Sequence, residues 1–164
     1  MSFLLKRPLF PFILTLLGVL SADGITKHYI RTHSKALDLN PLRVFGHWFS
    51  IGHTQNTGAA WGLCQGCSCG LAILGLLVIA AIFWQYAKTI KTHPLIYGLL
   101  SGGVLGNVLD RLRYGCVTDF IDIHLPFYRW PSFNLADTAI CIAVAALLLL
   151  PSRAAVSPNV PSVS

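Results

Sequence analysis

The stretch Gly102–Asp122, GGVLGNVLDRLRYGCVTDFID, decides the fold of this chain. It begins as an apolar helix with glycines at helical spacing, and it ends in a cluster of polar side chains. It holds Asp110, Asp119 and Asp122, which are three of the six acidic residues of the protein. A fourth, Asp137, follows at the head of another apolar run. Carboxylates beside membrane-length apolar segments are costly, so their presence indicates a functional site rather than a solvated loop.

The composition predicts a polytopic membrane protein. Of the 164 residues, 54% are hydrophobic and only 11% are charged, against about 25% in soluble domains. Too few polar residues remain to cover a large soluble core. The net charge of +6 is scattered as single Lys and Arg residues near helix ends. That distribution suits contact with anionic lipid headgroups and gives no clustered basic surface for nucleic acid.

The apolar segments predict a mainly α-helical fold with four transmembrane helices, at about 9–29, 70–86, 95–112 and 134–150. Several fall short of the ~20 residues that cross the hydrocarbon, so their polar ends must be drawn partly into the membrane. The first segment also resembles a cleavable signal peptide ending at Ala22. A retained helix is favoured, because Asp23 and Lys27 share a face at i, i+4. In the third helix Gly98, Gly102 and Gly106 form a ridge that lets a neighbouring helix approach closely.

Two segments are expected outside the membrane. Residues 35–62 alternate turn formers with short strand-like pieces, which predicts a small β-cradle between helices 1 and 2. Residues 114–133 carry prolines and aromatics, which predicts an interfacial loop. Residues 153–164 are rich in Pro, Ser and Val and are expected to be disordered. Residues 1–152 therefore make one membrane-embedded domain.

The five cysteines give no strong signal. Cys64, Cys67 and Cys69 lack a local fourth ligand, so no metal site is expected, and a local disulfide or free thiols both remain open. Cys116 and Cys141 are interpreted as small apolar fillers. No cofactor is expected.

Converging carboxylates favour hydrolysis by an activated water. In a low-dielectric site two carboxylates cannot easily both be ionised, so an acid stands beside a base. Such a pair can direct water at an amide carbonyl with no covalent intermediate. Arg111 could pair with one carboxylate or hold a substrate carbonyl. Asn56, Asn107 and Asn134 could orient both groups, although each could also simply cap a helix or join two helices.

The surroundings of each Asp suggest which two react. Asp119 has apolar chain neighbours that would raise its affinity for a proton. Asp137 lies near a helix N-terminus, which favours its ionised form. Asp110 is expected to be held charged beside Arg111 in a structural role, and Asp122 can turn to water.

Taken together, four motifs resemble the bacterial lipoprotein signal peptidase family, also called type II signal peptidase. They occur in the family's order: Asp23-x-x-x-Lys27, Asn56-Thr57-Gly58-Ala59-Ala60-Trp61-Gly62, Gly102-Gly103-x-x-Gly106-Asn107-x-x-Asp110-Arg111-x-x-x-Gly115-x-Val117-x-Asp119-Phe120, and Phe133-Asn134-x-Ala136-Asp137. The resemblance implies a four-helix inner-membrane aspartyl endopeptidase with a periplasmic β-cradle. It also implies cleavage of prolipoproteins just before a diacylglyceryl-modified cysteine.

The resemblance also implies residue roles and a topology. By matching position, Asp119 and Asp137 are the catalytic dyad. The substrate cleft would be lined by Asn56, Asn107, Arg111 and Asn134, and the fold around it would be supported by Asp23, Lys27 and Asp110. Both termini would be cytoplasmic and the site periplasmic. The expected partners are prolipoprotein substrates and membrane lipids, with a monomeric enzyme and no nucleic acid.

The chain departs from the family pattern at two of these motif positions. Gly24 stands where Gln is usual and Trp61 where Phe is commoner, and neither touches the expected chemistry. The cluster Cys64–Cys69 has no counterpart in the pattern, so its role stays open.

Two other classes of membrane protein could contain the same buried Asp residues. A proton- or ion-coupled carrier would need polar residues at both depths of the membrane. The second helix has none before Gln85, and the polar groups of the other helices gather at one end. A structural assembly factor would leave the buried charges unexplained. A one-sided site favours the hydrolase.

Overall fold

A computed structural model describes residues 6–84 and 91–150 of the chain. In these ranges the helices are α1 Lys6–Thr32, α2 Ser34–Leu39, α3 Ser68–Trp84, α4 Pro94–Tyr114 and α5 Leu135–Leu149, with a 3₁₀ turn at Ala60–Gly62. The strands are β1 Leu42–Phe45, β2 Phe49–Asn56, β3 Val117–Leu125 and β4 Tyr128–Arg129. The expected tail at 153–164 and the expected end of the second long helix at 85–86 lie outside the described residues.

The helix α4 packs against α1, α3 and α5. Glycine makes this packing close. A Cβ atom at Gly98 would lie 2.8 Å from the carbonyl oxygen of Phe12, and one at Gly102 would lie 2.9 Å from that of Leu16. One residue further along, and therefore on a different face of α4, a Cβ at Gly103 would lie 2.5 Å from the carbonyl oxygen of Ala136 on α5. The predicted glycine ridge is confirmed, and it serves two neighbouring helices because α4 lies between them.

The outward faces of the long helices are apolar. Large hydrophobic side chains such as Leu14 on α1, Leu77 on α3 and Leu148 on α5 are exposed. Within the described ranges, one helix is by itself long and apolar enough to cross a membrane, Leu9–Thr32, and α3 and α5 are shorter apolar helices. Exposed apolar faces of this extent need a nonpolar surrounding.

The four strands form one antiparallel sheet in the order β1-β2-β3-β4. This corrects the expected loop at 114–133, because that segment supplies β3 and β4. It also corrects the placement of the cradle, since only β1 and β2 come from between α1 and α3. The alternation Val117-Thr-Asp-Phe-Ile-Asp-Ile is strand-like, but its partner lies more than 60 residues earlier, and local composition does not reveal such pairing.

The beginning of the expected cradle is also corrected. Residues Ser34–Leu39 form the short helix α2 rather than part of a sheet. Their sequence SKALDL contains no β-branched residue and several helix formers. Asn40 before Pro41 ends the helix, because a residue that precedes proline is disfavoured in the α conformation.

Gly115 makes the turn from α4 into β3. It adopts φ +72°, and its N–H donates to the carbonyl oxygen of Arg111 at 3.0 Å. Glycine takes this left-handed conformation without steric cost. The turn therefore places Asp119 only four residues past the end of the central helix.

Candidate active site

Asp119 lies on β3, and the sheet register supplies its first partner. Thr54 pairs with Asp119 and Asn56 with Val117, so Asn56 and Asp119 are diagonal neighbours on one face. The amide of Asn56 donates to Oδ2 of Asp119 at 3.0 Å, and that of Asn134 donates to Oδ1 at 2.7 Å. Asp119 is only 2% exposed, so these amides satisfy a carboxyl group that water hardly reaches.

Asp137 lies in the first turn of α5 and belongs to a capping box. Its backbone N–H donates to Oδ1 of Asn134 at 2.9 Å, and Asn134 N–H donates back to its Oδ2 at 3.3 Å. The amide of Asn107 on α4 donates to Oδ1 of Asp137 at 2.7 Å. These hydrogen bonds and the helix N-terminus stabilise a carboxylate.

Asn134 joins the two carboxyl groups. Its side-chain oxygen caps α5, and its side-chain nitrogen reaches Asp119. The sequence offered capping and functional contact as alternatives for this residue, and one fully buried side chain does both. Because Asn134 touches both Asp119 and Asp137, any shift of the helix N-terminus moves the whole site.

The environment of Asp119 favours its protonated form. Burial and, to a lesser extent, the nearby charge of Asp137 together raise the pKa of Asp119 to about 7, against the opposing effect of the hydrogen bonds from Asn56 and Asn134. Burial disfavours a charge, and two neighbouring carboxylates repel each other. Asp119 can therefore hold a proton near neutral pH.

Both carboxyl groups open onto one cavity of about 820 Å³. Its walls are apolar over most of their extent and include Leu71, Val104 and Ile140. Arg111 also lines it, with Nη2 donating to the carbonyl oxygen of Gly58 at 2.8 Å. Arg111 Nε is buried and has no hydrogen-bond partner among the residues that the structure describes. The cavity thus combines long apolar walls with a small polar centre, as substrate sites commonly do.

A buried lysine lies beneath the site. Lys27 is 0% exposed, and its Nζ lies 2.8 Å from Oδ2 of Asp23. It also donates to Oδ1 of Asn107 at 2.9 Å. That contact orients the Asn107 amide, so that its nitrogen faces Asp137. Asp23 in turn accepts the N–H of Ala136 at 2.9 Å, which ties α1 to the first turn of α5.

Asp110 has partners that the sequence did not suggest. Its carboxylate lies 3.3 Å from Lys27 Nζ and 3.1 Å from Arg31 Nη1, and it accepts the N–H of Thr118 at 3.2 Å. The ion pairs and the hydrogen bond of Asp110 come from α1 and β3 rather than from its chain neighbour Arg111, because consecutive residues on a helix point in different directions. Asp110 instead fastens β3 to the helices one residue before Asp119.

Sequence reasoning missed Arg31 and Thr118. Arg31 Nη1 also donates to Oγ1 of Thr118 at 2.9 Å, and its guanidinium lies 4.2 Å from the centre of the Tyr114 ring. A signal was present, since Asp23, Lys27 and Arg31 repeat every four residues and so share one helix face. Thr118 carried no such signal.

The remaining predicted groups lie around this centre. Asp122 accepts a hydrogen bond from Ser132. Cys116 is buried as expected, whereas Cys141 is exposed and lines the cavity, which corrects its interpretation as a core filler. Cys64, Cys67 and Cys69 are exposed thiols. In the part of the chain that the structure describes, no cluster of three or more His, Cys or Asp side chains could hold a metal ion.

The helices, the small sheet and the cavity with its carboxyl groups define a helical membrane enzyme. A family model for signal peptidase (SPase) II matches residues 15–152. The chain belongs to the signal peptidase II family, and the resemblance seen in its motifs is confirmed.

Individual relatives agree with this membership. A lipoprotein signal peptidase of Syntrophus aciditrophicus (strain SB) is 35% identical over 153 residues, covering 88% of this chain and 94% of that protein. One from Moorella thermoacetica (strain ATCC 39073 / JCM 9320) is 38% identical over 148 residues, covering 87% and 95%. A solved bacterial membrane enzyme matches with a TM-score of 0.77 at 31% identity, covering 84% of this chain and 85% of that one. Membership in this family makes the chain a peptidase and disfavours the carrier.

Proposed function

We propose that this protein cleaves the signal peptide from prolipoproteins immediately before a diacylglyceryl-modified cysteine. The reaction is aspartyl hydrolysis, in which Asp119 and Asp137 activate one water with no covalent intermediate. One observation carries the proposal: two carboxyl groups, each held by side-chain amides, open onto one largely apolar cavity.

The two carboxyl groups take different parts in this mechanism. Asp137, at a helix N-terminus, acts as the base that takes a proton from water. Asp119, whose pKa lies at about 7, donates its proton to the carbonyl oxygen as the tetrahedral intermediate forms. As the intermediate collapses, Asp137 gives the proton taken from water to the leaving nitrogen, and Asp119 recovers its own from the hydroxyl group that becomes the new carbonyl. Proton transfer by positioned groups of this kind contributes about 10²–10⁴-fold to rate.

Amides and one guanidinium support the reacting groups. Asn56, Asn107 and Asn134 hold the carboxyl groups in position. Arg111 lines the cavity and is held there by the bond from its Nη2 to Gly58, so its guanidinium is placed to meet a substrate carbonyl oxygen. Asp23, Lys27 and Asp110 form the support beneath them.

The lipid requirement follows from the shape and lining of the cavity. Leu71, Val104, Val108 and Ile140 give it apolar walls on three helices. Acyl chains of a diacylglyceryl group would lie against these walls and bury apolar area, worth about 25 cal/mol per Å². The peptide on the amino side of the cysteine would then reach the carboxyl groups.

The same proposal includes a four-span topology in the bacterial inner membrane. The helices α1, α3, α4 and α5 span the membrane, both termini are cytoplasmic, and the sheet and site lie at the periplasmic side. The exposed apolar faces of the helices support the spans, and exposed aromatics on the sheet side, such as Trp48 and Tyr128, suit a membrane interface. The enzyme works as a monomer in contact with membrane lipids.

The test is incubation of the purified protein in detergent with a diacylglyceryl prolipoprotein and with its unlipidated form. We expect cleavage of the lipidated form only, and its loss in folded Asp119→Asn protein. Equal cleavage of both forms would contradict the lipid requirement. Cleavage of neither would contradict the peptidase assignment and return the carrier to consideration.

A further inference from the structure

Three cysteines lie in, or directly after, the loop that borders the cavity. Residues 57–67, which we call the rim loop, connect β2 to α3 and carry Cys64 and Cys67, and Cys69 follows in the first turn of α3. All three are exposed. None takes part in the proposed hydrolysis.

The backbone brings Cys64 and Cys67 together. The N–H of Cys67 donates to the carbonyl oxygen of Cys64 at 3.0 Å, which closes a four-residue turn. Such a turn holds its first and last Cα atoms within about 7 Å, and disulfides usually join Cα atoms about 4.4–6.8 Å apart. Cys64 itself adopts φ +53° and Gly66 φ +82°, the left-handed conformations that fold the chain back on itself.

The start of α3 separates Cys69 from Cys67. The carbonyl oxygen of Cys67 accepts the N–H of Leu71 at 3.0 Å, so Cys67 caps α3 and Cys69 lies inside its first turn. Residues two apart at a helix start do not face each other. The turn brings Cys67 next to Cys64, and the helix start does not bring it next to Cys69.

The rim loop is tied to the active site on both sides. Thr57 Oγ1 donates to Gln65 Oε1 at 2.7 Å, and Gly66 N–H donates to Thr57 Oγ1 at 3.3 Å. Thr57 follows Asn56, which holds Asp119, and Gly58 accepts the bond from Arg111. A Cβ at Gly58 would collide with the carbonyl oxygen of Leu63, so the two halves of the loop are in direct contact.

The loop also reaches across the cavity. Trp61 lines the cavity and donates its Nε1–H to the hydroxyl of Tyr128 at 2.6 Å. Its ring meets Trp130 edge-on, with centroids 6.1 Å apart. Any constraint on the turn at 64–67 therefore acts on an indole at the mouth of the cavity.

We propose that Cys64 and Cys67 form a disulfide that fixes the rim loop beside the cavity. The inference rests on the proposed topology, which puts the loop on the oxidising side of the membrane. The thiolate of one cysteine attacks a donor disulfide, protein or small-molecule, and the second cysteine resolves the mixed disulfide. The two thiols give up two electrons and two protons, and the donor leaves as its dithiol.

The first test maps the linkage. Cells that express the full chain are treated with N-ethylmaleimide before lysis, and the purified protein is then reduced and alkylated with iodoacetamide for peptide mass mapping. We expect iodoacetamide on Cys64 and Cys67 and N-ethylmaleimide on Cys69. N-ethylmaleimide on both Cys64 and Cys67, or a linkage that involves Cys69, would overturn the proposal.

The second test measures what the linkage does to the loop. A small disulfide loop limits the opening of its segment, so hydrogen exchange at the amides of residues 59–66 should be roughly tenfold slower in the oxidised protein than after reduction. Cys64→Ser and Cys67→Ser should both match reduced wild type, and Cys69→Ser should keep the slow exchange. Fast exchange in Cys64→Ser but slow exchange in Cys67→Ser would indicate a packing role for Cys64 and contradict a bond between them.

The outcomes separate this proposal from the proposed function. The linkage is read by mass and by exchange, and neither needs peptide cleavage. An inactive protein that carries the linkage would contradict the hydrolysis alone. An active protein with free Cys64 and Cys67 would contradict the disulfide alone.

Discussion

At the scale of single residues, the two carboxyl groups differ in what surrounds them. Asp119 is enclosed in the sheet and contacted by two amides. Asp137 is partly buried in the first turn of α5, within a capping box. Unequal surroundings of two neighbouring carboxyl groups separate the acid from the base.

Asp119→Asn and Asp137→Asn should each lower the cleavage rate by at least about 10²-fold and leave a folded protein, because each removes a proton-transfer group. The measurement is turnover of lipidated prolipoprotein alongside protein abundance. Asp122→Asn is the matched control, since Asp122 contacts Ser132 and an amide oxygen can still accept that bond. Substantial turnover in Asp119→Asn, with none in folded Asp110→Asn, would move the role to Asp110.

The cleavage rate should fall as the pH rises through about 7, because Asp119, with a pKa of about 7, then loses the proton that it donates. Above that pH the decline in kcat/KM should approach about tenfold per unit. The measurement is kcat/KM from pH 5 to pH 9 in one detergent. A rate that stays level up to pH 9 would contradict Asp119 as the acid.

The same pKa predicts a dependence of stability on pH. The folded-state pKa of about 7 lies above the ordinary value of 3.8, so the folded protein binds more protons between these values. The contribution of Asp119 to the free energy of unfolding should therefore decrease as the pH rises through this window. Asp119→Asn should flatten that slope in thermal denaturation, and an unchanged slope would contradict the raised pKa.

At the scale of elements, buried charges join α1, α4 and β3. Lys27 is fully buried and contacts Asp23, Asp110 and Asn107. Arg31 and Thr118 continue the contacts to the strand that carries Asp119. These ion pairs and hydrogen bonds position β3. Removing one partner leaves a buried charge without its counter-charge, which destabilises the whole group.

Asp110→Asn and Asp23→Asn should lower thermal stability together with activity, because each leaves Lys27 short of a buried counter-charge. Breaking a buried ion pair by removing one partner costs about 3–5 kcal/mol. The measurement is thermal denaturation in detergent. Asp38→Asn is the control, since its pair with His53 is exposed on the Asp38 side and should cost less than about 1 kcal/mol. Normal stability with no activity in Asp110→Asn would point to a direct part in the chemistry.

Gly103→Ala should destabilise the packing of α4 on α5, because the new Cβ would lie 2.5 Å from the carbonyl oxygen of Ala136. Overpacking of this kind costs about 1–3 kcal/mol. Gly18→Ala is the matched control, since nothing lies within 4 Å of a Cβ there and alanine favours a helix by up to about 1 kcal/mol. The measurement is the midpoint of thermal denaturation. Equal midpoints for the two variants would contradict the close approach.

At the scale of the whole molecule, the fold gathers its buried charges, its sheet and the two carboxyl groups of the cavity in one region. The sheet, the cavity centre and the buried charges lie together, and the outward helix faces are apolar. This arrangement suits the proposed hydrolysis at one membrane surface.

A reporter fused after Ser164 that is active only when exported should be inactive, because an even number of spans returns the chain to the cytoplasm. The same reporter fused in the segment between β1 and β2 should be active. Measured reporter activity per fusion protein gives the comparison. Activity after Ser164 would overturn the four-span topology and would favour cleavage of the first segment after Ala22.

Local patterns in the sequence were sufficient to predict the long helices and to recognise the family. Apolar runs and the spacing of glycines are properties of short segments, so α1, α3, α4 and α5 could be predicted with errors of a few residues. The motifs around Asn107, Asp119 and Asp137 carried the family resemblance. Burial of Asp119 could also be predicted, from its apolar neighbours.

The partners of these residues could not be predicted in the same way. The interpretation of 114–133 as a loop failed because β3 is defined by pairing with a distant strand. The partners of Asp110 could not be identified, because Lys27 and Arg31 lie on another helix about 80 residues earlier in the chain. The roles of Arg31 and Thr118 depend on contacts between different elements, from α1 to β3 and α4.

The sequence by itself determined the class of protein, the four long helices and the residues available for chemistry, because hydrophobic length, periodicity and residue type are local properties. Only the tertiary structure decided which residues meet. The register of β2 on β3 put Asn56 beside Asp119, and the cap of α5 let Asn134 reach both carboxyl groups. Such contacts join segments up to 113 residues apart, as in the bond from Ala136 to Asp23, and they form only when packing and hydrogen bonding of the whole chain are satisfied together.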